Sequence, residues 1–85
     1  MKFRVEFTSR ALRDLRGFES QVRIRIGREI DLLEVEPRPR GCQMLKGEKG
    51  LYRVRVGDYR VVYEIHDKVL VVLVIRIGHR KDIYQ

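Results

Sequence analysis

Three hydrophobic runs separated by two short polar turns, in the C-terminal half of the chain, constrain its fold more than any other feature. Residues 51–56 and 59–66 flank Gly57-Asp58, which is a two-residue hairpin signal. Residues 69–77 follow Asp67-Lys68, which is a weaker signal of the same kind. The third run is almost wholly apolar, as expected for a central strand covered on both faces. We therefore predict an antiparallel meander of three strands.

The N-terminal half predicts one strand and two amphipathic helices. Residues 3–7 alternate apolar and charged side chains, so we expect a half-buried strand there. Thr8 or Ser9 can cap a helix that Gly17 ends, and a second helix stops before Pro37. The apolar faces are Ala11, Leu12 and Leu15 in the first helix and Val22, Ile26, Ile30 and Leu33 in the second. The loose stretch that follows has room for a short strand around residues 42–45.

Together these elements predict a single α+β domain over residues 1–85: a small, mainly antiparallel β-sheet with two N-terminal helices packed on one face. The single cysteine, Cys42, excludes an internal disulfide. The sequence has no run of about 18 apolar residues, and its start lacks the apolar core of a signal peptide. We therefore expect a cytoplasmic protein with no membrane partner.

The charge balance favours a polyanionic partner. Nineteen Lys and Arg residues oppose twelve Asp and Glu residues, which gives a net charge of +7. A basic domain attracts nucleic acid through phosphate contacts and counterion release. Most of the basic residues are arginine, whose planar guanidinium recognises phosphate in a bidentate manner. We find no His/Cys or Asp-rich constellation with metal-ligand spacing, so no metal or cofactor is predicted.

Strand geometry predicts a cluster of arginines. Arg53 and Arg55 share one face of their strand because side chains alternate. If Gly57-Asp58 is a two-residue loop, Arg55 lies directly opposite Arg60, and like charges opposed across strands are destabilising. An anionic ligand would give such an arrangement a purpose. The alternative is a solvated face whose charges protect the sheet edge.

The last predicted strand returns the chain to the same end of the sheet. If Asp67-Lys68 is a two-residue loop, Arg60 lies beside Ile75, and the chain leaves the strand just past Ile77. Arg80, and with it His79 and Tyr84, can then reach the arginine cluster. A register slip of one residue would move Arg60 to the other face.

Three segments of the sequence resemble the RelE/ParE family of toxins. They are LYRVRVGDYRVVY at residues 51–63, VIRIGHRKDIY at residues 74–84 and FTSRALRDL at residues 7–15. The resemblance covers nearly the whole chain, and YRVVY and GHRKDIY are specific in combination. It implies a RelE-like fold, which is similar to the predicted antiparallel sheet with two helices on one face. It also implies that the protein is the toxin of a toxin–antitoxin system. The RelE branch cuts mRNA in the ribosomal A site, whereas the ParE branch poisons DNA gyrase.

The resemblance also implies a set of catalytic residues. The RelE pattern falls on Arg53, Arg55, Arg60, Arg80 and Tyr84. Lysine often stands in the family at the first two of these positions, and arginine hardly deprotonates in proteins. A general-base role for Arg55 is therefore not expected.

The mechanism implied by the resemblance needs no metal. The 2′-OH of a nucleotide attacks the adjacent phosphodiester, which yields a 2′,3′-cyclic phosphate and a 5′-OH. The arginines hold the phosphate and stabilise the charge that develops in the transition state. Tyr84 stacks on a base or moves a proton. His79 is a candidate acid or base, because the unperturbed pKa of histidine, about 6.5, suits that role.

Two other functions stay open: a ParE-like inhibitor of DNA gyrase and a non-catalytic RNA-binding module. The complete set of arginines and tyrosine argues against the gyrase inhibitor, since a binding inhibitor has no chemical need for clustered phosphate ligands. The resemblance further implies four partners: a RelB-like antitoxin, mRNA, the ribosome, and operator DNA bound by the toxin–antitoxin complex.

Overall fold

The computed structural model describes residues 2–45 and 50–79, which form a five-stranded sheet and two helices. The elements in chain order are β1 (Arg4–Phe7), α1 (Ser9–Arg16), α2 (Ser20–Leu32), β2 (Gln43–Met44), β3 (Leu51–Val56), β4 (Tyr59–His66) and β5 (Val71–His79). The strand order is β1-β5-β4-β3-β2, and β1 runs parallel to β5 while every other pair is antiparallel. The predicted α+β fold with a mainly antiparallel sheet is therefore confirmed.

Thr8 makes the transition from β1 to α1. Its side-chain oxygen accepts a hydrogen bond from Ala11 N at 3.0 Å, as the oxygen of an N-cap residue does. Its hydroxyl donates to Ile75 O at 2.8 Å, so the same residue also ties α1 to β5. Gly17 ends α1 as predicted, and its N–H donates to Asp14 O. Within residues 2–45 and 50–79, no helix is long and apolar enough to cross a membrane.

The helices cover one face of the sheet and enclose the apolar core. Ala11 of α1 and Ile26 of α2 are completely buried, and Ile30 is 2% exposed. The buried strand residues of this cluster are Val56, Val61, Tyr63, Ile65, Val72, Val74 and Ile77. Burying one aliphatic side chain of this size contributes about 1.5–3 kcal/mol. The core therefore fixes which face of the meander turns towards the helices and which is left open.

Tyr63 anchors the segment after α2 to the centre of the sheet. Its ring is completely buried, and its hydroxyl donates to Pro37 O at 2.8 Å. Burial raises the pKa of Tyr63 above its ordinary value. The neighbouring Arg38 donates to both carboxylate oxygens of Asp67, at 3.2 and 2.8 Å, and to the hydroxyl of Tyr52 at 3.2 Å. These contacts close the end of the sheet opposite the β3–β4 turn.

The β3–β4 hairpin has the predicted register. Val56 lies opposite Tyr59 and Arg55 lies directly opposite Arg60, so Gly57-Asp58 is a two-residue loop. Gly57 has φ of 63°, which a type II′ turn requires at its first loop position and which glycine adopts without strain.

The β4–β5 connection is longer than predicted. Residues 67–70 form a four-residue turn instead of a two-residue loop, and β5 begins at Val71 rather than at residue 69. Leu70 closes the turn with φ of 56°, a left-handed conformation that is uncommon for a residue other than glycine. The strand then continues to His79, two residues beyond the predicted end.

A β-bulge between Val62 and Tyr63 displaces the pairing of β4 and β5 further. Arg60 consequently lies opposite Gly78, and the predicted position beside Ile75 is wrong. The two extra turn residues and the one bulged residue account for this displacement of three positions. Because the bulge inserts a single extra residue, each residue of β5 after it projects from the face opposite to the predicted one.

Candidate nucleic-acid interface

Four arginines surround Val62 on the sheet face turned away from the helices, whereas Arg4 lies on that face at the far end of the edge strand β1. Arg55 of β3 is paired with Arg60 of β4, while Arg53 of β3 and Arg76 of β5 flank Val62 from its two sides. Directly paired residues project from the same face of a sheet, so the four side chains surround Val62, which is 8% exposed. We call Arg53, Arg55, Arg60 and Arg76 the arginine face.

The guanidinium groups of the arginine face repel one another. The pKa of Arg53 is lowered from its ordinary value, first by partial desolvation and then by the positive charges of Arg60 and Arg55. Arginine side chains in proteins are charged at neutral pH. The fold thus keeps several positive charges close together, and an anion bound among them would relieve their repulsion.

Gln43 of β2 supplies a polar neighbour at one border of the arginine face. It pairs with Arg53 in the ladder, and its side-chain oxygen accepts a hydrogen bond from Arg53 Nη2. This bond orients the guanidinium of Arg53. Sequence reasoning missed Gln43, because the short strand expected around residues 42–45 carries no hydrophobic alternation that would fix its register.

Arg76 is the member of the arginine face that the sequence prediction missed. It lies opposite Val62 in the ladder, two pairs away from the pair that contains Arg60, and so on the same face. A register without a bulge would have turned Arg76 towards the helices. The signal that could have found it is a charged residue in an otherwise apolar central strand, since such a residue is seldom placed there without a partner or a use.

His79 does not join the arginine face. It is paired with Tyr59, whose ring it meets edge-on at a centroid distance of 5.4 Å. Tyr59 packs in turn against Phe18 at 5.0 Å, on the face that the helices cover. The expectation that His79 reaches the arginines is therefore wrong, because the β-bulge turns it to the opposite face of the sheet.

Comparison with known proteins identifies the family. The sequence model described as "ParE toxin of type II toxin-antitoxin system, parDE" matches residues 5–84. The chain belongs to the RelE/ParE toxin family.

Relatives of the RelE type match this toxin over nearly its whole length. It is 31% identical to toxin RelG of Mycobacterium tuberculosis, over 100% of this chain and 99% of RelG. It is 33% identical to the mRNA interferase toxin RelE of Escherichia coli, over 95% of this chain and 86% of that protein. A chain of the archaeal RelE–RelB complex from Pyrococcus horikoshii superposes with a TM-score of 0.83 at 32% identity, covering 94% of this chain and 97% of that one. The predicted RelE-type family membership is confirmed.

Two of the predicted catalytic residues of this RelE-type toxin, Arg80 and Tyr84, lie outside the described residues. Their roles stay predictions. Arg80 follows His79 directly in the sequence, and β5 ends there, next to the strand that carries Arg60.

The arginine face of this RelE-type toxin is suited to holding a phosphodiester. Each guanidinium presents donors in a planar fork that matches two phosphate oxygens. Several such groups together also stabilise the extra negative charge that develops when the phosphorus is attacked. Arginine does not act as a base at neutral pH, so proton transfer falls to groups other than these four.

Proposed function

We propose that this RelE-type toxin is a metal-independent endoribonuclease that cuts mRNA in the ribosomal A site. The observation that carries the proposal is the direct opposition of Arg55 and Arg60, with Arg53 on the same face. A fold that holds these charges together at an energetic cost in the free protein gains from an anionic ligand at that place. The relative in Escherichia coli is named an mRNA interferase, which supports RNA as that ligand.

The proposed reaction is an internal transesterification. The 2′ oxygen of a nucleotide forms a bond to the adjacent phosphorus, and the bond from phosphorus to the 5′ oxygen breaks. The 2′-hydroxyl gives up its proton and the departing 5′ oxygen takes one, so the products are a 2′,3′-cyclic phosphate and a 5′-OH. Arg53, Arg55, Arg60 and Arg80 hold the phosphate and stabilise the added charge, while Tyr84 stacks on a base or moves a proton.

The proposed ribosome dependence is supported by what the four described arginines lack. They bind and stabilise charge, but they neither remove the proton from the 2′-hydroxyl nor fix the RNA in an in-line geometry. Alignment of the reacting atoms can supply many orders of magnitude in rate. A ribosome that presents the A-site codon in one conformation would supply this alignment and place the activity in the cytoplasm.

A RelB-like antitoxin is the proposed partner that restrains the toxin. The relative from Pyrococcus horikoshii was solved as a complex of RelE with RelB. With a net charge of +7, this toxin favours an antitoxin segment that is acidic where it meets the arginines. The joint complex is proposed to bind operator DNA.

The test is cleavage of a defined mRNA with and without a programmed ribosome, with the cut sites and end groups mapped. Arg60→Gln is the site variant, and Arg4→Gln is its matched control. Arg4 is an exposed strand arginine that pairs with Glu6 on the edge strand β1. The expected result is an A-site cut with a cyclic phosphate end, only with ribosomes, that Arg60→Gln loses and Arg4→Gln keeps.

Other outcomes would select the alternatives. If no RNA is cut and DNA supercoiling by gyrase is inhibited, the toxin acts as the ParE branch does. If no RNA is cut but RNA is bound through Arg60, the protein is a non-catalytic binding module. Cuts that Arg4→Gln and Arg60→Gln reduce equally would mean that net charge, and not the arginine face, determines activity.

A further inference from the structure

Asp14 of α1 takes the place of a strand along the last part of β5. The edge strand β1 ends at Phe7, which lies opposite Val74, so β1 does not reach the later residues of β5. Asp14 Oδ2 accepts a hydrogen bond from Ile77 N at 2.9 Å, and the side chain of Asp14 is 15% exposed. A carboxylate from the helix thus satisfies a backbone donor that a neighbouring strand would otherwise satisfy.

The charge of the Asp14 carboxylate is directed at two arginines. Its Oδ1 lies 3.4 Å from Arg10 Nε on the same helix, and its Oδ2 lies 3.8 Å from Arg76 Nε. The second distance is longer than a hydrogen bond, so the attraction to Arg76 is electrostatic. Within residues 2–45 and 50–79, the buried Nε of Arg76 has no hydrogen-bond partner.

Asp14 therefore attracts the Nε side of the Arg76 guanidinium, and the side chain remains partly exposed to solvent. The Arg76 side chain is 35% exposed and lies on the same sheet face as Arg60, with Val62 as its direct neighbour. The Asp14 carboxylate lies 3.8 Å from Nε, the guanidinium nitrogen nearest the backbone. A guanidinium restrained in this way loses less side-chain entropy when it binds an anion.

We propose that Arg76 is a phosphate-binding residue of the arginine face and that Asp14 is the positioning residue that holds it there. The inference rests on the proposed function, since the phosphate is that of the mRNA. It adds a fourth described guanidinium to the site from the opposite side of Val62. It also gives α1 a part in the site, through a residue that itself makes no contact with RNA.

Two substitutions separate the roles of these residues. Arg76→Gln removes the charge and keeps the first three carbons and a polar, though shorter, side chain. Asp14→Asn keeps an oxygen that can accept the Ile77 N–H bond but removes the charge that attracts Arg76. Arg10→Gln is the matched control, because it removes the other arginine that the same carboxylate pairs with.

The first measurement uses a 2′-O-methyl oligoribonucleotide, which cannot be cut because its 2′ oxygen is blocked. Its dissociation constant is measured by fluorescence anisotropy over a range of salt concentrations. Each phosphate contact to a single strand contributes about 0.7 to the slope of log affinity against log salt. We expect Arg76→Gln and Arg60→Gln each to lower this slope by about 0.7 and Arg4→Gln to leave it unchanged.

The second measurement is the single-turnover rate of cleavage on saturating programmed ribosomes. Losing a hydrogen bond to a charged group slows such a step by about tenfold or more, and we expect this for Arg76→Gln. Asp14→Asn is expected to slow cleavage by about 2–10-fold in the wild type and to have no further effect in the Arg76→Gln protein. A purely structural role of Asp14 would slow both backgrounds alike.

The outcomes distinguish the two proposals. If Arg60→Gln lowers the slope and Arg76→Gln does not, the arginine face binds RNA but the inference about Arg76 is wrong. If neither changes the slope, the proposed function fails as well. If Arg10→Gln slows cleavage as much as Asp14→Asn, the carboxylate acts through its own helix and not through Arg76. Thermal unfolding of each variant shows whether the fold is kept.

Discussion

Replacing Arg55 by threonine should make the free toxin more stable while it removes activity. Arg55 is exposed and directly opposite Arg60, with which it shares a charge of the same sign. A like-charged pair in this position destabilises a sheet by about 0.2–1 kcal/mol, and threonine is also a better strand former. We therefore expect the free energy of unfolding to rise by about 0.5–1 kcal/mol in Arg55→Thr.

The shift is large enough to measure in a protein of this size. For a domain of 60–100 residues, 1 kcal/mol changes the melting temperature by about 4–8 °C, so the expected gain is about 2–8 °C. Urea unfolding at low salt and at 1 M NaCl separates the two contributions. The screening length falls from about 10 Å at 0.1 M salt to about 3 Å at 1 M, so the repulsive part of the gain should shrink at high salt.

Arg4→Thr is the control for Arg55→Thr. Arg4 Nε lies 2.8 Å from Glu6 Oε2, so removing Arg4 relieves no repulsion and should not stabilise the protein. The reasoning is refuted if Arg55→Thr is less stable than the wild type, or if its gain is the same at both salt concentrations. In the ribosome assay Arg55→Thr should lose cleavage, so the same substitution should raise stability and remove activity.

Three further substitutions test the framework that positions the site. Thr8→Val removes the helix cap and the bond to Ile75 O, and should lower the free energy of unfolding by about 1–2 kcal/mol in urea, whereas Thr8→Ser should retain most of it. Gly57→Ala places a methyl group 2.9 Å from Arg25 Nη1 at a φ of 63°, which should lower the melting temperature through a loss of about 1–2 kcal/mol. Tyr63→Phe should lower the free energy of unfolding by about 1 kcal/mol at pH 7, because the carbonyl of Pro37 loses its hydrogen-bond donor. Since burial raises the pKa of Tyr63 above its unfolded value, its contribution is complete below about pH 10 and is lost as pH rises, so Tyr63→Phe should lose stability less steeply in alkaline urea titrations.

Each of these results has a contradicting outcome. If Thr8→Ser is as unstable as Thr8→Val, the hydroxyl is not the stabilising group. If removing the Arg25 side chain recovers none of the stability lost in Gly57→Ala, the close contact does not contribute and the backbone angle alone does. A Tyr63→Phe protein with an unchanged alkaline slope would assign that slope to other residues.

The first hairpin could be predicted from the sequence because its chemistry is local. Gly57-Asp58 fixes a two-residue loop, and the alternation of Arg53 and Arg55 then sets the opposition to Arg60 without further assumptions. The same logic predicts the α+β arrangement, since the hydrophobic period changes from strand to helix after residue 7 and back to strand in the C-terminal half. Residues joined by one short turn were therefore placed correctly.

The second hairpin could not be predicted because neither of its irregularities has a local signal. Leu70 adopts a positive φ that its residue type disfavours, and the extra residue of the bulge, Ile75, lies in a mainly β-branched run of β5. The longer turn alone keeps every residue on its predicted face, whereas the bulge reverses the faces beyond it. That single step explains both errors at the end of β5: Arg76 was missed and His79 was placed at the site.

The position of β5 in the sheet also bears on how the toxin is made. Of the described strands β5 is synthesised last, yet it lies between β1 and β4 and pairs with both. Arg4 and Val71, which pair across β1 and β5, are separated by most of the chain, so closing this contact is a late and entropically demanding event. A nascent or prematurely terminated chain without β5 lacks the centre of its core, and β4 then has no partner on one side to hold Arg60 in place. Incomplete synthesis should therefore yield an unfolded and harmless fragment, so that toxicity appears only when translation has passed the last strand.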